Sequence, residues 1–213
     1  MRWFLDMCII LYYVAQDKSY FHKKSFELLN QNEGHVFLVC FYIIDKDLPK
    51  YLKRQRIIID EVLKKFRDET YVFGSSDDGS FLYGRDKQKA EKLYLQSRSI
   101  KDKINFINKI KESQKGQELL IEYLLKTKIE KVVPIGEIDP QLRSAIFTYL
   151  EGNISDANIL TSGIQEHKNK EVTLLTGDKE HWTKDNLEWA LPEHSDLRKK
   201  YRKIPEIKYV QDM

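Results

Sequence analysis

Short apolar segments that run out at an aspartate recur along this chain and alternate with segments of helical periodicity. Strands that alternate with helices predict an α/β fold with a central, mostly parallel sheet flanked by helices. The carboxyl ends of parallel strands meet at one edge of such a sheet, where ligands bind. We therefore expect the aspartates at the ends of these segments to share one acidic pocket. They are Asp6, Asp47, Asp156 and Asp178.

The length and apolar content of the chain are those of a folded globular protein. Its 213 residues, 41% of them hydrophobic, suffice for one sizeable core, so we expect residues 1–213 to form a single domain. Residues 85–127 have a helical pattern broken near Gly116, which predicts a helical hairpin inserted into the α/β body. Residues 70–84 predict a β-hairpin.

Charge, cysteine content and hydropathy limit the cellular location and the binding partners that we expect for this chain. With 36 basic and 33 acidic residues the net charge is only +3, so overall charge does not point to nucleic acid. Two basic runs, residues 50–56 and 198–203, either follow an RNA backbone or form ordinary solvated faces. Cys8 and Cys40 show no pairing pattern, which predicts reduced thiols and a cytoplasmic location. No stretch is long enough to cross a bilayer, so no membrane partner is expected.

Each aspartate also has a structural interpretation. Asp45 is the expected N-cap of a helix that begins near it, which leaves Asp47 in the first turn, leaning over the sheet edge. If Ser155 caps the next predicted helix, Asp156 is free to point into the pocket. Clustered carboxylates stay ionised together only when cations neutralise them. The cluster therefore points to Mg²⁺ or Mn²⁺ and a phosphate-containing substrate.

Four segments resemble, in their order and approximate spacing, the motifs of the PIN-domain nucleases. They are Phe4-Leu5-Asp6, Asp47-Leu48, Ser155-Asp156-Ala157 and Thr176-Gly177-Asp178-Lys179. The resemblance spans residues 3–182 and implies a metal-dependent hydrolase of RNA phosphodiesters. It implies that Asp6, Asp156 and Asp178 are metal ligands and that Asp47 is the remaining catalytic acid. Thr176 and Lys179 are the candidate substrate contacts, with plain solvation as the alternative for Lys179.

The chain departs from the family pattern at two places. Asp47 stands where the family usually has glutamate, and Met7-Cys8 follows Asp6 where a hydroxyl and a polar residue are common. These departures favour the alternative of a PIN-like RNA-binding or protein-interaction scaffold without catalysis. For a small family member the resemblance also implies an antitoxin-type inhibitor protein, and it leaves a homodimer open. An aspartyl phosphatase is set aside because Cys8 occupies the position of its second aspartate.

Overall fold

The computed structural model of the protein describes residues 1–15, 19–31, 34–134 and 137–213. The chain forms two compact units. The first comprises Met1–Asp47 and Ile121–Met213, and the second comprises Leu48–Leu120. The expected insertion at 85–127 thus overlaps a unit that begins well before it, and the single-domain organisation stays a prediction.

The first unit contains a sheet of five parallel strands, in the order β3-β2-β1-β4-β5, which confirms the predicted α/β fold class. The strands are β1 (Arg2–Leu5), β2 (Val36–Cys40), β3 (Ile129–Val133), β4 (Thr173–Thr176) and β5 (Glu206–Tyr209). Strand β1 lies in the middle, with Leu5 opposite Val39 of β2 on one side and Leu175 of β4 on the other. The three inner strands β1, β2 and β4 are mostly buried and apolar, as expected of strands covered on both faces, whereas the edge strands β3 and β5 carry charged residues.

Helices of the first unit surround this sheet. They are α1 (Met7–Val14), α2 (Tyr20–Gln31), α6 (Pro140–Tyr149), α7 (Ile154–Asn169), α8 (Lys184–Ala190) and α9 (Asp196–Lys200). Helix α7 packs directly on the strands, because a Cβ at Gly163 would lie 2.6 Å from Leu174 Cδ2 and 3.2 Å from Phe4 Cδ1. This close approach fixes the start of α7 relative to the ends of β1 and β4.

The continuous apolar run at residues 35–44 predicts one buried strand, but the observed strand is shorter. Strand β2 ends at Cys40, and a helical segment begins at Phe41 and continues as a π-helical turn over Ile43–Asp47. Asp45 therefore lies inside a helical turn, and its prediction as an N-cap is wrong. A short apolar run does not distinguish a buried strand from a buried helical turn, which explains the error.

Two other boundaries in the first unit differ from expectation. Helix α7 begins at Ile154 and is capped by Asn153, whose side-chain oxygen accepts hydrogen bonds from the backbone of Ser155 and Asp156. Ser155 is therefore not the cap. The sequence also predicts a short strand over residues 132–135, whereas β3 spans Ile129–Val133, and Ile135 lies outside the described residues.

The second unit is helical. It contains α3 (Leu48–Arg67), a 3₁₀ turn (Asp78–Phe81), α4 (Gly84–Arg98) and the part of α5 (Lys103–Thr127) up to Leu120. Ile58, Val62 and Ala90 are among its core residues. The helical hairpin breaks between α4 and α5, and Gly116 lies inside α5, contrary to expectation.

The β-hairpin predicted at residues 70–84 is absent, since these residues form turns, the 3₁₀ turn and the start of α4. A fully buried carboxylate organises the segment instead. Glu61 of α3 accepts hydrogen bonds from the Tyr71 hydroxyl (2.8 Å), the Gly74 backbone N–H (2.5 Å) and the Ser76 hydroxyl (2.7 Å). A buried carboxylate needs such donors, and here they replace the hydrogen bonds of a strand pair.

None of the helices in the described part of the chain is both long and apolar enough to span a membrane.

Candidate functional site

The candidate site lies where the order of the parallel strands reverses. From β1 the chain builds β2 and β3 on one side of the sheet, then crosses to add β4 and β5 on the other. Ligands of open α/β sheets bind in the crevice outside the carboxyl ends of the strands at such a point. Asp6 follows β1 directly and Asp178 follows β4 by two residues, so both flank this crevice.

Asp6 is held rigidly at the end of β1. Its backbone N–H donates to the Leu175 carbonyl (3.0 Å). Its Oδ2 accepts hydrogen bonds from the Thr176 hydroxyl (2.7 Å) and the Cys8 thiol (2.9 Å). Burial raises the pKa of Asp6, these hydrogen bonds lower it in part, and the nearby charge of Asp178 raises it further. Asp6 is therefore oriented, and burial favours its neutral form unless a cation binds to it.

Asp178 is fixed by the turn that follows β4. Its Oδ1 accepts the backbone N–H groups of Glu180 (2.8 Å) and His181 (2.9 Å), and its Oδ2 lies 3.0 Å from His181 Nδ1. Burial alone would raise the pKa of Asp178, but these hydrogen bonds lower it below its ordinary value. The bond to Asp178 in turn raises the pKa of His181, so the two side chains form an ion pair when His181 is protonated.

Asp156 reaches the site from the first turn of α7. Trp182 Nε1 donates to its Oδ1 (3.3 Å), and the Asn153 side-chain amide donates to its Oδ2. Burial raises the pKa of Asp156 to about 6, helped by the negative charges of Asp6 and Asp178. Trp182 is completely buried and therefore gives this carboxylate a rigid neighbour.

The three carboxylates thus converge from β1, β4 and α7. Their charges act on one another: Asp178 raises the pKa of Asp6, and both raise that of Asp156. All their donor atoms are carboxylate oxygens, the ligands that Mg²⁺ and Mn²⁺ prefer. Among the described residues, no three acidic, histidine or cysteine side chains already surround one point that could hold a metal ion. Carboxylate oxygens suit a divalent cation, but as they stand the described side chains do not form a site that would hold one.

Asp47, the fourth predicted acid, lies beside this cluster. It ends the π-helical turn, and the Ser155 hydroxyl donates to its Oδ2, which brings it next to the start of α7. Asp45 is exposed and pairs with Lys46 (2.9 Å). The structure therefore brings Asp47, and not Asp45, to Ser155, the residue that precedes Asp156.

The two predicted substrate contacts have other partners. Thr176 is fully buried, and its hydroxyl donates to Asp6 and accepts the backbone N–H of Asp178 (2.9 Å). We therefore reassign Thr176 from substrate contact to the positioning of both carboxylates. Lys179 is half-exposed and pairs with Asp212 (2.7 Å), which agrees with the solvated alternative.

Sequence reasoning missed several side chains of the site. Cys8, interpreted as a departure from the family pattern, donates a hydrogen bond to Asp6. The signal in the sequence was that Cys8 follows Asp6 by only two residues. His181 lies three residues after Asp178, a spacing that brings side chains together in a helical turn. Trp182 and Tyr12 gave no local signal. Burial raises the pKa of Tyr12, with further contributions from Cys8, Asp6 and Asp178, which places its hydroxyl within the field of the cluster.

Comparison of the chain with protein-family models, with curated proteins and with solved structures gave no match.

Proposed function

We propose that this protein is a divalent-metal-dependent hydrolase that cleaves RNA phosphodiester bonds at the carboxylate cluster. The observation that supports it most is the convergence of Asp6, Asp156 and Asp178 at the crevice between β1 and β4. A concentration of negative charge at the ligand-binding edge of a parallel sheet is costly unless a cation occupies it. Bound there, Mg²⁺ or Mn²⁺ would lower the pKa of a water and neutralise charge on the phosphate.

The residues of this chain have distinct tasks in the proposed site. Asp6, Asp156 and Asp178 would hold the metal, and Asp47 would act as a further acid near Asp156. Thr176 and Cys8 orient Asp6 through the hydrogen bonds at its Oδ2. Loss of such supporting bonds typically reduces metal affinity or activity by about 10–100-fold. His181, which pairs with Asp178, and the Tyr12 hydroxyl are available to donate hydrogen bonds to a phosphate oxygen.

The test is cleavage of a labelled single-stranded RNA by the purified chain in the presence of Mn²⁺ or Mg²⁺. We expect Asp6→Asn and Asp156→Asn each to lower the rate more than the roughly 10–100-fold that loss of a merely supporting group costs. Asp45→Asn is the matched control, because it removes one carboxylate that faces solvent and Lys46. Cleavage that persists after chelation by EDTA would contradict the metal mechanism.

The second candidate is a PIN-like scaffold that binds RNA or protein without cutting. Two observations favour it. The described carboxylates do not surround any one point, and Asp6 and Asp178 already accept hydrogen bonds from neighbouring groups. A Mn²⁺ titration followed by calorimetry separates the two. The hydrolase binds Mn²⁺ and loses that binding in Asp178→Asn, whereas the scaffold shows weak binding that the same substitution leaves unchanged.

The partners proposed for the hydrolase are RNA as substrate and an antitoxin-type protein as inhibitor, with a homodimer open. Cys8 and Cys40 are both free, which is consistent with the proposed cytoplasmic location.

A further inference from the structure

Two large aromatic rings of the second unit face solvent. Phe81 is 58% exposed and Tyr83 is 55% exposed, although the residue between them, Leu82, is buried in the core. Scattered exposed apolar residues are common on protein surfaces. Two neighbouring exposed rings that both lie next to basic side chains are less common.

Three basic side chains of α3 lie over these rings. Lys53 Nζ is 4.6 Å from the centre of the Phe81 ring. Lys50 Nζ and Arg54 Cζ lie 5.7 Å and 5.1 Å from the centre of the Tyr83 ring. Residues three and four apart share one face of a helix, so these cations form one group above the rings.

The rings are held in place by their backbone. Phe81 ends the 3₁₀ turn, and Tyr83 is the N-cap residue of α4, where its N–H donates to Asp86 Oδ2 (3.1 Å). The preceding segment is fixed by the hydrogen bonds of Tyr71 and Ser76 to Glu61. A surface that is ordered before its partner arrives loses less entropy on binding.

We propose that this surface, formed by Lys50, Lys53, Arg54, Phe81 and Tyr83, binds single-stranded RNA. Proteins that bind single strands combine aromatic rings, on which bases stack, with cations that follow the phosphates, and this surface has both. The inference deepens the proposed function by naming a substrate-binding surface. It rests on that function for the choice of RNA, while binding itself requires no cleavage.

The neighbouring acidic residues argue against an anionic membrane as the partner. Asp77 and Asp78 are exposed and immediately precede the turn residues that lead to Phe81. Insertion of Phe81 into a bilayer would bring both carboxylates to anionic headgroups. A single strand can instead pass over the Lys50 and Lys53 side of the rings, so charge favours the nucleic acid.

The test is fluorescence anisotropy of a fluorescein-labelled single-stranded RNA of mixed sequence with the full chain, in EDTA so that no cleavage contributes. We expect the double variant Phe81→Ala/Tyr83→Ala to bind about tenfold or more weakly, because two stacking platforms are lost. The variant Lys50→Gln/Lys53→Gln should lower the slope of log Kd against log salt by about 1.4, the contribution of two phosphate contacts on a single strand.

Matched controls come from exposed residues elsewhere. Lys111→Gln/Lys115→Gln removes the same charge from α5, where Asp60 and Glu118 lie nearby. Trp189→Ala removes a ring that is 65% exposed and has Asp185 and Glu188 beside it. Both should bind RNA as the wild type does, and circular dichroism should show that every variant is folded.

The outcomes separate this inference from the proposed chemistry. Wild-type affinity in the Phe81→Ala/Tyr83→Ala variant, or binding to phosphatidylserine vesicles without RNA binding, would overturn the RNA surface. RNA binding that depends on the two rings, in a chain that cuts no RNA with Mn²⁺, would support the surface and refute only the hydrolase.

Discussion

Asp139 caps the start of α6 and connects this helix, through hydrogen bonds, to the residues at the end of α9. Its Oδ1 accepts the N–H groups of Gln141 and Leu142, while Lys200 Nζ (2.6 Å) and the Tyr201 hydroxyl (2.8 Å) donate to its Oδ2. Burial alone would raise the pKa of Asp139, but these four donors lower it to about 2. The ionised form therefore stabilises the fold.

We expect Asp139→Asn to lower the free energy of unfolding by about 1–2 kcal/mol at pH 7, since a charged cap and its ion pair with the half-exposed Lys200 are lost. A depressed folded pKa stabilises the protein above the ordinary value of 3.8 and ceases to do so as the pH falls towards 2. The deficit should therefore shrink across that window.

Urea unfolding at a series of pH values measures this deficit. Asp196→Asn is the control, because the Asp196 side chain is 97% exposed and pairs only at the surface with Lys199. A deficit of constant size from neutral to acid pH would show that Asp139 acts through packing rather than through its charge.

The residues of the candidate site were predictable to different degrees. Asp6 and Asp178 were found because a strand end is visible as the end of an apolar run. The positioning groups were not, because a hydrogen bond such as that of Thr176 to Asp6 joins residues 170 positions apart. The local sequence pattern does not indicate a contact between residues so far apart. Trp182, which contacts Asp156 but gives no local signal, is the clearest example.

At the scale of elements, the close packing of α7 on the sheet is the most demanding contact of the first unit. A Cβ at Gly163 would lie 2.6 Å from Leu174 Cδ2 and 3.2 Å from Phe4 Cδ1, and both side chains are fully buried. Gly116 of α5 has no atom within 4 Å of its Cβ position.

Alanine at these two glycines should therefore have opposite effects. Gly163→Ala should destabilise the protein, because the overpacking cost of about 1–3 kcal/mol exceeds the helix-propensity gain of about 1 kcal/mol. Gly116→Ala should stabilise the protein, because it has the gain in helix propensity without the overpacking cost. Thermal unfolding followed by circular dichroism measures both, and a melting temperature raised by Gly163→Ala would mean that α7 moves away from the sheet at little cost.

The elements that sequence reasoning missed share one cause, a tertiary contact that overrides local pattern. Residues 70–84 contain the turn residues of a hairpin, yet Glu61 binds their donors and holds them as irregular turns. The apolar run after β2 forms a helical turn instead of a strand, and within it Ile43 is fully buried. Helix α6, by contrast, follows from Asp139 and Pro140, because a cap and a first-turn proline act locally.

At the scale of the whole molecule, the acidic cluster links stability to cations. Because burial and the neighbouring carboxylates raise the pKa of Asp156 to about 6, its ionisation opposes folding as the pH rises from its ordinary value of 3.8 through 6. Without metal, Asp156→Asn should therefore be more stable than the wild type at pH 7.5, by on the order of 3 kcal/mol, and should lose this advantage below pH 4.

Metal should reverse that ranking. Mn²⁺ at about 1,000 times its dissociation constant would stabilise the wild type by about 4.1 kcal/mol, since it binds the folded state alone. Thermal melts with Mn²⁺ and with EDTA, at neutral and acid pH, measure both effects. Two results together would contradict the linkage. The first is a wild-type melting temperature that does not change with Mn²⁺, and the second is an Asp45→Asn variant whose stability in EDTA changes as that of Asp156→Asn does.

The central strand comes from the beginning of the chain, while its neighbour β4 lies about 170 positions later. During synthesis on the ribosome, Asp6 therefore lacks the hydroxyl of Thr176 and the carboxylate of Asp178 until β4 and the turn after it have been made. A fragment released before that point would lack one side of the crevice. If the mature protein destroys RNA, this order of assembly keeps it harmless to the message and the ribosome that are still making it.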